Sequence, residues 1–317
     1  MGTRRIALLG AVGITAVAAL VAPVALGFAT PAAPRDAAVV ERPVTAASAK
    51  PSNAGLARLR WRLAKSTSWT LALSDVAAAA DLRGYSLVVV DGETTSPSRV
   101  RQLRRSGSVV LAYLSIGTIE DGRWWSEAAR SHRLDRWQHW GEWYADVNSS
   151  DFRALITNRV LPRMMAAGFD GVFLDNVDMV ESHPRQRSGM ASLLGAVSRE
   201  VHRRGRLVLA QNGDSQLPWL LPWLDGWNRE DVSFSYDFGT GRYRRTSQLD
   251  RAQAAQAIRR VRAHRLTAFS TDYLPNPAAP AAARQVAEAV RYACALGATP
   301  YVGSIGLDRM PRAPLRC

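Results

Sequence analysis

The chain has 317 residues, a formal charge of +14 and an isoelectric point near 10.8. Hydrophobic residues make up 47% of the composition and charged residues 21%, which excludes a disordered chain and permits a large core. The basic residues are mostly arginines spread along predicted helices, with no basic tail or nucleic-acid motif. We therefore expect no nucleic-acid binding, and an association with an anionic cell-wall or membrane surface instead.

The first segment in chain order has the features of a targeting signal. Arg4 and Arg5 precede an uncharged apolar run from residue 6 to about residue 28, and small residues follow at 29–33. This pattern predicts a signal peptide or membrane anchor over residues 1–30 and a secreted or extracellular protein. The run is long enough to span a bilayer, so cleavage, which we favour, and anchoring both stay open. Residues 31–58 are rich in Ala, Pro and Ser and are predicted to form a linker.

Short apolar runs alternate with amphipathic stretches over residues 59–317. Most of the runs are rich in Val, Leu and Ile with little alternation, which is typical of parallel strands buried on both faces. The predicted strands cover residues 85–91, 109–117, 144–148, 171–178, 207–212, 226–231, 267–273 and 300–305.

Helical patterns fill the intervals between these strands. Apolar stripes with helical spacing run over residues 152–164 and 190–201, and Ser150 or Asp151 can cap the first of them. Eight strands alternating with helices predict an α/β fold, a single (β/α)₈ TIM barrel of close to the roughly 250 residues typical of it. A doubly wound open sheet is the alternative, but no Gly-rich phosphate loop follows the first predicted strand.

Barrel enzymes carry their sites at the C-terminal ends of the strands, so the residues that end the predicted strands are candidate site residues. The candidates are Asp91, Tyr113, Ser115, Glu120, Arg123, Asp146, Asp175, Asp178, Gln211, Asn212, Glu230, Asp272 and Tyr273. A single Asp after a strand often caps the next helix, but capping does not account for acids, amides and phenols at seven strand ends together.

This set of side chains suits a sugar ligand. In glycoside hydrolysis one acid protonates the leaving oxygen and a second supports an oxocarbenium-like transition state, while amides bind hydroxyl groups. Ten tryptophans strengthen the interpretation, because flat indoles such as those of Trp137 and Trp140 can stack on sugar rings.

The sequence gives little support for metal chemistry or for a serine nucleophile, and it leaves a disulfide open. The five histidines fall away from the predicted strand ends, and no HExxH or GxSxG motif occurs, so we expect no metal, no other cofactor and no serine nucleophile. Cys294 and Cys317 are the two cysteines, and export would permit a disulfide between them, which the sequence leaves open.

At these strand ends the chain resembles glycoside hydrolase family 114, which includes endo-α-1,4-polygalactosaminidases. The resemblance rests on VLAYLSIG at residues 110–117, on GFDGVFLDNVD at residues 168–178, on Gln211 and Asn212, and on the region of Glu230. It covers most of residues 80–305. The chain departs from the family pattern where it has Thr118 and Asp272, at positions where an acid and a Glu respectively are common.

The resemblance implies a catalytic pair with Asp175 as nucleophile and Glu230 as acid/base. It implies a retaining endo-glycosidase that cleaves an amino-sugar polysaccharide such as α-1,4-linked galactosamine. We expect a monomer whose partner is this polysaccharide substrate. Two alternatives stay open at this point: a non-catalytic carbohydrate-binding barrel at the cell wall, and a metal-free hydrolase that acts on another cell-wall bond.

Overall fold

The computed structural model describes residues 53–317, so the predicted targeting segment and most of the predicted linker lie outside the described residues. Helix α1 (Asn53–Ala64) begins inside the segment predicted as linker. None of the helices formed by residues 53–317 combines the length and the hydropathy that a bilayer span requires.

Eight parallel strands form a nearly closed barrel in which each strand pairs with the next one along the chain, as predicted. The strands are β1 (Trp69–Ala72), β2 (Leu87–Asp91), β3 (Val109–Ser115), β4 (Gly171–Asp175), β5 (Leu207–Gln211), β6 (Gly226–Glu230), β7 (Thr267–Tyr273) and β8 (Ala298–Gly303). Strand β8 comes back to β1, where the Tyr301 hydroxyl donates to the Leu71 carbonyl at 3.3 Å. The (β/α)₈ barrel is confirmed.

Helices surround the barrel. They are α2 (Asp75–Ala79), α3 (Pro97–Arg105), α4 (Ser150–Leu155), α5 (Leu161–Ala166), α6 (Arg187–Arg203), α7 (Leu217–Leu220), α8 (Gln248–Ala263) and α9 (Ala283–Ala295). A π-helical turn (Ile156–Val160) joins α4 to α5. The cap of α4 is Ser149, one residue before the predicted cap, and its hydroxyl accepts the Phe152 N–H.

One predicted strand is wrong and one barrel strand was missed. Residues 142–145 belong to an antiparallel sheet outside the barrel, so the predicted strand at 144–148 is not a barrel strand. Its apolar run resembles a buried strand because its side chains are partly covered by neighbouring loops. Strand β1 has only four residues, which is too short for the pattern to distinguish from the preceding helix.

Two small antiparallel sheets extend from the C-terminal end of the barrel. The β3 hairpin (residues 133–145) contains strands Arg133–Trp137 and Glu142–Ala145 and pairs with Thr118–Ile119. The β6 hairpin (residues 234–245) contains strands Phe234–Asp237 and Arg242–Arg245. Each hairpin lies in the chain between the barrel strand for which it is named and the next barrel strand.

The barrel strands are buried on both faces. One set of alternating side chains fills the barrel interior, including Trp69, Leu87 and Phe173, and the other set packs under the helices. Leu59 and Leu63 of α1 belong to the interior cluster, so α1 packs on the barrel at the end from which the strands start. This leaves the C-terminal end of the barrel for polar side chains.

A disulfide joins Cys294 of α9 to Cys317, with a Cα–Cα distance of 5.4 Å. The pairing that the sequence left open is therefore present. It ties the C-terminal segment to the last barrel helix across a sequence separation of 23 residues.

Replacing both cysteines with serine should lower the free energy of unfolding by about 3 kcal/mol, because the unfolded chain regains the entropy of the open loop. The midpoint of urea denaturation measures the change. Reductant should shift the wild-type midpoint by the same amount and leave the double serine variant unchanged. A wild-type midpoint that does not respond to reductant would contradict the prediction.

Candidate active site

A cleft of about 420 Å³ opens at the C-terminal end of the barrel. It is lined by ten of the thirteen candidates: Asp91, Tyr113, Glu120, Arg123, Asp175, Asp178, Gln211, Asn212, Glu230 and Tyr273. It is also lined by Leu71, Leu73, Ser74, Trp137, Trp140, Glu142, Asn176, Asp231, Tyr236, Phe238, Ile305, Gly306 and Leu307, which are outside that set.

Asp175 ends β4 and is held by three donors. The Tyr113 hydroxyl donates to its Oδ2 at 2.5 Å, and Oδ1 accepts from Gln211 Nε2 at 2.6 Å and from the Asn176 N–H at 2.7 Å. Gln211 is fixed in turn, because its Oε1 accepts from Asn228 Nδ2 inside the barrel at 3.1 Å. The carboxylate therefore has a set orientation before any ligand binds.

Glu230 ends β6 and is held by two donors. Asn212 Nδ2 donates to its Oε2 at 2.6 Å, and the Tyr273 hydroxyl donates to its Oε1. Asn212 also accepts the Glu230 N–H on its own Oδ1, and its carbonyl accepts the indole N–H of Trp227, which is buried in the core. Asn212 therefore orients Glu230, and not Asp175.

Burial shifts the pKa of both carboxyl groups. Burial raises the pKa of Asp175, and its three donors oppose the rise. Burial, together with the negative charges of Asp175 and Asp231, raises the pKa of Glu230 to about 7, against two donors only. Glu230 is therefore the member of the pair whose raised pKa suits a proton donor near neutral pH.

The chain turns sharply where the central strands end. Asn176, Asn212 and Asp231 follow directly after β4, β5 and β6, with φ of 58°, 57° and 57°. Asn and Asp enter this left-handed region at lower cost than other non-glycine residues. These turns lead the backbone away from the cleft while the last side chain of each strand stays in it.

Close packing supports the turn behind Asp175. A Cβ on Gly117 would lie 1.9 Å from the Asn176 carbonyl oxygen, so only glycine fits there. Asn176 Nδ2 donates to Ser115 Oγ at 2.9 Å and to Thr118 Oγ1 at 3.2 Å. Ser115 is thus a support for the turn and lies outside the cleft lining.

Glu142 is a cleft carboxyl that the sequence analysis missed. It lies in the β3 hairpin, where the Thr118 hydroxyl donates to its Oε2 at 2.5 Å. Burial raises its pKa to about 7, and the charges of Glu120 and Asp175 add to the rise. In the family that the chain resembles, an acid is common at the position of Thr118. Here the Thr118 hydroxyl instead holds the carboxyl group of Glu142 in the cleft.

Two further acids, Asp178 and Asp231, line the cleft with Asp175 and Glu230. Burial raises the pKa of Asp178 to about 7, and the charges of Asp175 and Glu230 contribute. Burial likewise raises the pKa of Asp231 to about 7, against the attraction of Arg229. The cleft therefore gathers carboxyl groups with few cations between them.

The cation in the cleft lining, Arg123, is already engaged. It binds Asp91 and Glu120, each at 2.6 Å. Burial raises the pKa of Asp91, but Arg123 and the N–H groups of Glu93 and Thr94 outweigh it and bring the pKa below its usual value. This group braces the loop after β2, and its cation is neutralised within it.

Two candidates lie outside the cleft lining for different reasons. Asp146 follows the β3 hairpin and accepts the Asn148 N–H at 3.1 Å. Asp272 is 1% exposed and accepts the N–H groups of Ser233 at 2.5 Å and Phe234 at 2.9 Å. Burial raises its pKa to about 6. Asp272 therefore fixes the start of the β6 hairpin.

Within residues 53–317, no group of three or more His, Cys, Asp or Glu side chains could hold a metal ion. The chemistry available to the cleft is that of carboxyl groups, amides and phenols.

Comparisons with known proteins show the family of the chain. The family model for glycoside hydrolase family GH114 matches residues 50–314. An uncharacterised protein of Deinococcus radiodurans is 25% identical over 249 residues, which cover 71% of this chain and 75% of that protein.

Two solved structures share the fold. The glycoside hydrolase domain of PelA from Pseudomonas aeruginosa is 24% identical with a TM-score of 0.66, covering 77% of this chain and 96% of that one. Ega3 from Aspergillus fumigatus, in complex with galactosamine, is 18% identical with a TM-score of 0.63, covering 80% of this chain and 95% of that one.

The raised pKa of Glu230 should make stability depend on pH. The folded chain keeps this proton up to about pH 7, whereas the ordinary pKa is 4.5, so the folded state binds more protons between these values. Stability should therefore fall as pH rises from 4.5 to 7, and Glu230→Gln should remove up to about 3 kcal/mol of that fall.

Urea denaturation at pH 5 and at pH 8 measures this difference. Glu127→Gln is the control, because Glu127 is an exposed carboxylate paired with Arg130 at 2.8 Å. The same loss of stability between the two pH values in wild type and Glu230→Gln would show that Glu230 does not hold the proton.

Proposed function

Because this chain belongs to glycoside hydrolase family GH114, we propose that it is an extracellular retaining endo-glycosidase that cleaves an amino-sugar polysaccharide of the α-1,4-polygalactosamine kind. The observation that carries the proposal is the presence in one cleft of Asp175, held by three donors, and of Glu230, whose pKa is raised to about 7. A retaining glycosidase needs one carboxylate and one carboxylic acid in this way.

Each residue then has one role in a two-step reaction. Glu230 gives its proton to the glycosidic oxygen while Asp175 Oδ attacks the anomeric carbon, and the bond to the leaving sugar breaks. Glu230 then takes a proton from a water molecule that attacks the same carbon and releases Asp175. Tyr113 and Gln211 hold the nucleophile, and Asn212 and Tyr273 hold the acid.

The charge of the cleft supports a cationic sugar. Glu142, Asp178 and Asp231 surround the pair, and Arg123 is neutralised by its own acids. A protonated amino group would relieve the repulsion between these carboxyl groups, whereas an anionic sugar would add to it. The Ega3 structure contains galactosamine, an amino sugar of this class.

The proposed location outside the cell rests on two features. The N-terminal residues have the pattern of an export signal or anchor, and the Cys294–Cys317 disulfide suits an oxidising compartment. The basic exterior of a chain with a net charge of +14 would favour retention at an anionic cell wall or membrane surface. We propose that the protein acts there as a monomer on its polysaccharide.

Product analysis tests the proposed function. The purified protein would be incubated with α-1,4-galactosamine oligomers, fully and partly deacetylated, and with chitosan oligomers for comparison. We expect internal cleavage of the galactosamine chains, with the α-anomer appearing first in proton NMR spectra. The β-anomer would mean inversion. Binding without cleavage of any polymer would mean a carbohydrate-binding barrel.

Replacing the two catalytic carboxyl groups should separate their roles. Asp175→Asn should abolish turnover with fold and sugar binding retained, because no nucleophile remains. Glu230→Gln should slow cleavage of polymer by roughly 10²–10⁴-fold, and far less for a glycosyl fluoride, whose leaving group needs little protonation. Asp178→Asn should be milder than either, and Asp151→Asn, at an exposed position on α4, should match wild type. Near-wild-type rates in Asp175→Asn would overturn the assignment.

The pH profile should show the proton on Glu230. Because the acid must be protonated, kcat/KM should fall as pH rises through about 7. In the Asp178→Asn variant, kcat/KM should fall at the same pH as in wild type. With the glycosyl fluoride as substrate, the fall of kcat/KM at high pH should become shallow. Kinetics between pH 4 and pH 9 measure both. If kcat/KM of Asp178→Asn falls at a clearly different pH, or no longer falls, the ionisation belongs to Asp178.

A further inference from the structure

Aromatic side chains from the two hairpins meet at the cleft. Trp140, near the tip of the β3 hairpin, contacts Phe238 of the β6 hairpin, with ring centroids 5.6 Å apart and an edge-on geometry. His139 stacks on the same Phe238 ring at 4.9 Å. Two loops that leave different barrel strands are therefore joined by their rings beside the catalytic cleft.

This aromatic group, which includes Trp140 and Phe238, has further ring contacts within each hairpin. Phe238 packs edge-on against Tyr236 at 5.1 Å, and Tyr236 packs against Tyr243 at 4.9 Å. On the other hairpin, Trp137 stacks on Tyr144 with an angle of 18° between the planes. Such contacts fix ring positions, so the group forms a preset surface.

The outer rings of the group nevertheless remain open to solvent. Trp140 is 44% exposed and Phe238 is 37% exposed, although both line the cleft that contains Asp175 and Glu230. Trp124 is similarly exposed, at 39%, but it lies outside the cleft and the Arg163 guanidinium covers its ring at 4.7 Å. Exposed rings beside a polar cleft mark a place where a ligand covers them.

We propose that Trp140 and Phe238 form a stacking platform for a sugar residue of the polymer other than the one that is cleaved. The proposal rests on the proposed function, because it assigns a further subsite to the same cleft. The occupant is an amino-hexopyranose ring, whose C–H face packs on the indole while its polar groups point away.

Chain-length dependence tests the platform. Trp140→Ala and Phe238→Ala should each raise KM for long galactosamine oligomers by about tenfold and leave kcat unchanged. Both variants should hydrolyse a galactosaminyl fluoride, which is too short to reach the platform, at the wild-type rate. Trp140→Phe should restore most of the KM because a flat ring returns. Trp124→Ala is the matched control and should behave as wild type.

Two outcomes overturn the platform separately from the proposed function. If wild type cleaves the oligomers and Trp140→Ala raises KM no more than Trp124→Ala does, the platform is wrong and the function stands. If wild type cleaves no polymer, the function fails, and affinity electrophoresis in polygalactosamine tests the platform alone. Equal retardation of wild type and Trp140→Ala, or no retardation of wild type, would then overturn it. Circular dichroism checks that every variant is folded.

Discussion

The arrangement of this cleft follows from the burial of two carboxyl groups, those of Asp175 and Glu230, close together at the end of a barrel. Within residues 53–317 neither has a cationic partner, so hydrogen-bond donors and the raised pKa of Glu230 offset the repulsion between them. The donors come from β3, from β5 and the turn after it, and from β7. The carboxyl groups and most of their donors thus lie on strands, whose positions are fixed by burial on both faces.

Part of this arrangement could be predicted from the sequence, and the limit has a physical cause. Strands β4 to β7 were recognisable because both faces are buried, which gives an unbroken apolar run that ends in a polar residue. The strand pattern made Asp175 and Glu230 two candidates among thirteen, and the resemblance to family 114 implied that they form the pair. Asp272 has the same pattern, but whether a carboxyl at a strand end enters the cleft or binds the next loop depends on backbone N–H groups that no local pattern reveals.

The errors are concentrated in the segment between β3 and β4. The hairpin there has aromatic and polar residues in a mixed order, and its strand Glu142–Ala145 imitates a short buried strand. Assigning it to the barrel placed Asp146 at the site and left Glu142 out. The position of Glu142 follows from antiparallel pairing with residues 118 and 119, a long-range contact that hydrophobic periodicity does not report.

The cleft thus takes its side chains from two kinds of element, barrel strands and hairpins. The groups that would break and form bonds are on rigid strands, while Glu142, Trp140 and Phe238 come from hairpins that follow β3 and β6. Loops on a barrel can change without disturbing the strands that carry the chemistry. Because Thr118 holds Glu142 in the cleft, the hairpin after β3 adds a carboxyl group to those that the strands carry.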